Sequence, residues 1–366
     1  MKKFSLVVLV LTLFSVSFLL QRCVQTAKGV SLDISAPAFD VLSKYNFFTG
    51  NIKDLQPNEG VLPYDLNSAL FTDYAEKARF VWMPSGTSAE YHDRDEVLDL
   101  PVGTVLIKNF FYNNDETDLS RGRKVIETRL LVNKGEKWDA LTYVWNDEQT
   151  DATITSIGDV KKVSWVNAQG VKMDINYVVP DKNQCKGCHE YKGKLMPIGP
   201  KVRNINKIYE YTEGKENQLD KWSSVGYLTG YDKDAEYPKT ADWENPNSGT
   251  LHQRAMAYLD INCGHCHNPN GPGGVSGLDL SYYNEMGPTL GICKSPVSAG
   301  KGSGGNHFDI VPGQPDKSIL VFRMETTDPG AMMPEVGRTV THVEGVALIK
   351  EWINAMEGTC NLDIMR

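Results

Sequence analysis

Two pentapeptides carry the residues best suited to chemistry: Cys185-Lys186-Gly187-Cys188-His189 and Cys263-Gly264-His265-Cys266-His267. Paired thiols separated by two residues, with a histidine directly after, suit covalent capture of a porphyrin. The sulfurs add to its vinyl groups, and the imidazole falls beneath the iron as an axial ligand. The pattern predicts two covalently attached c-type haems, held by Cys185, Cys188, Cys263 and Cys266 and ligated by His189 and His267. Structural zinc would also use paired Cys-x-x-Cys units, but in sequence such pairs usually lie much closer together. A disulfide-exchange site would need a thioredoxin-like βαβ setting. Here the second motif follows a helical pattern and is trailed by Asn268-Pro269-Asn270-Gly271.

The second axial position of each iron decides what that iron does. For the second haem the candidate is Met333, in Ala331-Met332-Met333-Pro334-Glu335, with Met332 as its rival. The intervening chain is long enough to fold over the opposite face, and a thioether ligand raises the potential and closes the iron. For the first haem Met196 is close in sequence, and Met173, His252, His307 or an open site are the alternatives. The sequence does not choose among them. The run Gly300 to Gly305 lacks the P-loop spacing and reads as a loop.

Three further cysteines bear on the compartment. Cys293 and Cys360 are expected to pair as a disulfide, which an oxidising envelope permits. Cys23 follows an apolar run, Phe4 to Leu20, that is preceded by Lys2 and Lys3, the layout of an export signal. Residues 1–23 therefore read as a signal peptide, a lipoprotein signal that lipidates Cys23, or an N-terminal anchor. Arg22 fits the lipoprotein pattern poorly. All three place the folded chain in the periplasm or cell envelope, with or without membrane attachment. The chain has 366 residues and a formal charge of -8, which argues against nucleic acid as a partner.

Residues 30–180 are expected to form a β-rich domain. Thr104 to Tyr112, Lys124 to Val132, Trp138 to Trp145 and Val171 to Val179 are rich in β-branched and aromatic residues and are separated by turn formers. Trp82, Trp138, Trp145 and Trp165 read as its core. Residues 181–245 form a first haem segment, and 246–366 a second haem domain. Helical spacing runs from Leu251 to Ile261 and from Thr341 to Met356, the latter opened by an expected capping box of Thr341 and Glu344. The fold class is α+β: antiparallel sheet first, a mainly helical region after.

The stretch from Leu251 to Met356 resembles a class I cytochrome c domain. The likeness rests on the helix before CGHCH, on Met333-Pro334 and on Ala347 to Ile353. Ile310 to Pro315 with Ser318-Ile319-Leu320 is similar to a segment of bacterial envelope cytochromes that precedes their methionine ligand. From Tyr64 onward the chain also resembles a family of bacterial dihaem cytochromes whose role is unsettled. That likeness is carried by Tyr64 to Pro84, Thr142 to Ala152, CKGCH with Pro197 to Asn206, and the second motif region. Gly103 to Lys108, then a tryptophan-bearing strand, then CKGCH follows the order seen in cytochrome P-460 proteins. Those proteins hold a lysine-crosslinked haem against a sheet, and no lysine here is assigned that part.

These readings imply an electron carrier between a dehydrogenase, or a quinol-linked carrier, and another redox protein such as a cytochrome. The alternative is a haem enzyme, peroxidase-like or P-460-like, whose open first haem is served by the second.

Overall fold

The computed structural model describes residues 28–92 and 96–361. The expected export signal and Cys23 lie outside the described residues. Six strands run antiparallel in chain order: β1 (Val61–Tyr64), β2 (Glu76–Trp82), β3 (Val105–Asn113), β4 (Arg123–Asn133), β5 (Trp138–Trp145) and β6 (Ala152–Thr155). Strands β7 (Asp159–Val166) and β8 (Lys172–Val179) pair as a separate hairpin. The expected strands are all present, with ends displaced by at most a residue or so.

Period-two alternation gives the sheet two covered faces. Phe80, Val105, Ile107, Leu130 and Val132 point to one side, where Leu42, Tyr45 and Phe47 from the chain before β1 cover them. Leu62, Val81 and Leu106 point to the other, against Val202, Ile205, Leu219 and Trp222. Each such side chain taken from water stabilises the fold by about 1.5–3 kcal/mol before entropy is counted. The segment after the first motif thus shares a core with the sheet. Trp145 and Trp165 are buried, while Trp82 and Trp138 are half-buried at the margins.

Helix α1 (Lys182–His189) ends on the first motif, and α2 (Gln218–Ser224) carries the buried Trp222. In the last third, α3 (Leu251–Leu259), α4 (Ile319–Glu325) and α5 (Val343–Asn354) enclose a core that includes Met256, Leu259, Ile310, Ile349 and Trp352. The chain is a mixture of helix and antiparallel strand, as α+β implies. Its last third is less helical than expected, because long turns and short 3-10 segments join the three helices. Frequent glycine and proline between Pro269 and Pro315 account for this, since neither sustains a helix. Among the described residues no helix is long and apolar enough to cross a membrane.

Cys293 and Cys360 form the expected disulfide, with Cα atoms 5.1 Å apart. The expected capping box of α5 is not formed. The helix begins at Val343, and its N-cap His342 makes no side-chain cap bond. The Thr341 hydroxyl donates to the Glu325 carbonyl (2.7 Å), and the Glu344 carboxylate receives the Tyr74 hydroxyl (2.9 Å). Tertiary partners have taken both groups. Capping boxes close instead on α1, from Asp181 and Gln184, and on α3, from Thr250 and Gln253.

Candidate functional site

Helix α1 lies over the sheet and presents its motif toward the face that carries Arg79, Lys108 and Arg129. Asp181 fixes its start by accepting from the amides of Asn183 and Gln184. After His189 the chain makes a tight hairpin, Glu190–Tyr191 paired with Lys194–Leu195. Its turn residues Lys192 and Gly193 both have positive φ (50° and 75°), the conformation a two-residue hairpin needs. This return explains the spacing to Met196. The Met196 amide donates to the His189 carbonyl (2.7 Å), and its own carbonyl lies 2.8 Å from His189 Nδ1. Met196 therefore meets the imidazole through its backbone, on the side away from Nε2.

A carbonyl can only accept, so His189 Nδ1 must carry the proton, which leaves the Nε2 lone pair free. His267 is held in the same tautomer by different means. Its Nδ1 lies 3.1 Å from Ser276 Oγ, and that hydroxyl donates its own proton to the Gly273 carbonyl (2.7 Å). Ser276 therefore accepts from Nδ1–H, and His267 Nε2 is again free. Glycine is required here. A Cβ on Gly273 would stand 3.0 Å from His267 Nδ1, and one on Gly271 would stand 2.5 Å from the Cys266 carbonyl.

The second motif is positioned by α3 and the π-turn Asp260–Gly264 that follows it. Arg203, only 1% exposed, grips the Asp260 carboxylate with two hydrogen bonds, 2.9 and 3.0 Å long. Burial alone would raise the Asp260 carboxyl, but the Arg203 charge and hydrogen bonds hold it below its ordinary value. Asn262 accepts from the Phe71 amide (2.8 Å), and the Asp73 carboxylate accepts from the amides of Thr339 (2.6 Å) and Val340 (3.0 Å). The strap between β1 and β2 thus pins both the second motif and the chain after Met333 to the sheet.

The two motifs meet. Cys266 Sγ lies 2.9 Å from the Gly187 carbonyl, across 79 residues of sequence. The Lys192 amide donates to Asn270 (3.0 Å), so the turn after one motif rests on the turn after the other. Ligand atoms of Cys188, His265 and Cys266 lie within 4.8 Å of one another. The close approach of Cys188 and Cys266 draws Cys188, which also has His265 beside it, toward the thiolate and pushes Cys266 up. Burial raises Cys263 to about 12 and keeps it a neutral thiol.

Under the first motif is a cavity of about 150 Å³, which Cys185, Cys188 and His189 line from one side. Leu106, Leu131, Ile198 and Ile261 supply apolar wall, and Arg79, Lys108 and Arg129 supply charge from the sheet. His265, whose buried Nδ1 has no hydrogen-bond partner, reaches this cavity from the second motif. A smaller cavity of about 20 Å³ is lined by Cys263 and Met333, with His342 beside them. Met332 is buried elsewhere and lines neither cavity.

None of the candidates for the first haem's distal side lines the first cavity. Met173 packs against the cluster around Trp165, His252 accepts from Trp352 Nε1 (3.2 Å), and His307 is exposed. Sequence reasoning missed the three sheet cations, His265 and His342. Lys108 could have been noticed as a lone charge inside TVLIKNFFY. His342 gave no signal of its own, since stacking on Phe71 (centroids 4.0 Å apart) and its bond to Tyr258 (3.0 Å) are long-range contacts. No family model, curated protein or solved structure matches the chain.

Proposed function

We propose that the protein is an exported c-type cytochrome of the cell envelope that carries two covalently bound haems and passes electrons between redox protein partners. One observation carries the reading. Both motif histidines are locked by an Nδ1–H hydrogen bond to a protein acceptor, one a backbone carbonyl and one a serine, and both keep Nε2 free. That orienting contact is the usual companion of a metal-binding imidazole. The donor set also fits the group: Cys185, Cys188 and His189 border a largely apolar cavity, and Cys263 shares one with Met333.

In this reading His189 and His267 hold the irons, and Met333 is the second haem's other axial ligand, in a domain of class I cytochrome c type. The haems supply reversible one-electron chemistry when bound. The chain's own work is positional. It shields both imidazoles, keeps their tautomers, and sets the two attachment points side by side, so that no long gap separates the electron's two stops. Disulfide formation between Cys293 and Cys360 is consistent with an oxidising compartment. A donor dehydrogenase and an acceptor cytochrome are the partners this implies.

A second reading is favoured by the closeness of Cys188, His265 and Cys266. Two thiols and an imidazole are donors that zinc or copper accepts. One experiment separates the two: haem, zinc and copper counted on purified full-length protein from a host able to attach c-type haem. Two haems per chain and no other metal is the expected result. A stoichiometric soft metal without haem would replace the cytochrome reading with a metal-site one.

A further inference from the structure

Arg79 on β2, Lys108 on β3 and Arg129 on β4 are register partners: Arg79 faces Lys108, and Lys108 faces Arg129. Thr142 on β5 continues the row. Like charges directly opposite on neighbouring strands repel, so such a row is disfavoured unless something offsets it. Arg79 has Asp65 (2.6 Å), an acid it shares with Lys207 (2.6 Å), and Arg129 has Glu127 (2.8 Å). Glu127 also receives the Tyr177 hydroxyl (2.6 Å). Two carboxylates therefore serve three cations, and none serves Lys108.

Lys108 is the surplus. Among the described residues it has neither an ion pair nor a hydrogen bond, and its ammonium lies 4.7 Å from the Phe110 ring centroid. That ring, which Arg129 also overlies at 4.4 Å, gives the half-buried ammonium only weak compensation for the water it has lost. Arg79 adds a second deficit. Its side chain is 4% exposed, and its Nη2 is buried without a partner. All three cations line the cavity that Cys185, Cys188 and His189 border from the other side.

We propose that this face is an anion-binding site, centred on Lys108 and flanked by Arg79 and Arg129, which takes a carboxylate or small oxyanion next to the first motif. Strand spacing of about 4.8 Å makes the row roughly 10 Å long, enough to reach from one edge of a flat ligand to the other. The anion has two sources with the same chemistry: the carboxylates of the first haem, or an exogenous oxyanion delivered to its sheet-side face. The second source rests on the haem reading and would give the first iron an exchangeable ligand; Met173, Met196, His252 and His307 lie elsewhere, and His265 is the histidine that shares this cavity with His189.

The test uses purified full-length protein, with haem counted first so that the cytochrome reading is judged separately. Nitrite, an iron-ligating anion, and imidazole, a neutral ligand, are titrated against the visible spectrum of wild type, Lys108→Gln and Lys108→Arg. Saturable nitrite binding that weakens roughly 10- to 100-fold in Lys108→Gln but not in Lys108→Arg, with imidazole unaffected, assigns the exogenous source. No nitrite binding, but a lower potential of one haem or its loss from Lys108→Gln, assigns the haem's own carboxylates. If haem is absent, calorimetric titration of nitrite and sulfate into the same variants still reads the site. Wild-type and Lys108→Gln protein that match in anion binding, haem content and potential would overturn the proposal.

Discussion

The first motif closes a capped helix laid on a six-stranded sheet, whereas the second begins inside a π-turn and is wrapped by glycine-rich chain. Both hold histidine in the same tautomer, but a main-chain carbonyl does it in one and a serine hydroxyl in the other. Their opposite sides diverge further. The first cavity is walled by a sheet face with surplus positive charge, and the second is small and contains Met333. In the cytochrome reading the shared pentapeptide specifies attachment. The surrounding fold specifies what each attached group would meet.

The strongest way to break this comparison is to remove each attachment separately. Replacing both Cys185 and Cys188 by serine, or both Cys263 and Cys266, is expected to lower the haem count from two to one in either case. The surviving haem should differ: ligand-accessible when the first motif remains, low-spin and closed when the second does. Identical spectra from the two half-proteins would mean that the environments do not matter.

Covalent stapling is next. Among the described residues only the second region has a disulfide, which spans 67 residues, and its double serine variant is expected to lose about 4 kcal/mol by loop entropy. Urea unfolding should show that loss in the transition of the last third. A comparable loss in the sheet would show that the two regions unfold as one.

Acid should also distinguish the regions through His342, 8% exposed and pushed down to about 4, first by burial. The folded state keeps this ring neutral, whereas in the unfolded chain it titrates near 6.5. Its contribution is complete above pH 6.5 and is lost as pH falls through 4, a change on the order of 3 kcal/mol. His342→Phe should flatten that part of the stability–pH curve. An unchanged slope would assign it to other groups.

The smallest expected effects are at the caps. Thr250→Ala and Asp181→Ala each remove a side-chain acceptor at a helix start and should cost about 1 kcal/mol. Asp181→Ala should also loosen α1, visible as faster amide exchange between Lys182 and His189. Equal exchange in wild type and variant would show that packing alone holds α1.

What was legible in the sequence was local. Alternating apolar residues in TVLIKNFFY and WDALTYVW marked β3 and β5, and the spacing of Leu251, Ala255, Tyr258 and Leu259 marked α3. Thr341 and Glu344 looked like a cap because only their neighbours could be seen. Tyr74 and the Glu325 carbonyl, which bind them, are remote in sequence. The cationic row was hidden for the same reason. Arg79, Lys108 and Arg129 are unremarkable one at a time and become a site only once strand register sets them abreast. The contact between the motifs was equally out of reach, since nothing near Cys266 names Gly187.

Asp73 is 2% exposed, and the backbone donors that satisfy its carboxylate belong to Thr339 and Val340, some 266 positions later. During synthesis the strap exists long before those donors do. The sheet can pair early, because its strands follow one another in order. The strap must wait, since closing so long a loop is slow and a buried carboxylate without donors is unstable. Maturation therefore has a last step written into its topology: the amino-terminal half is finished by the arrival of the carboxy-terminal end.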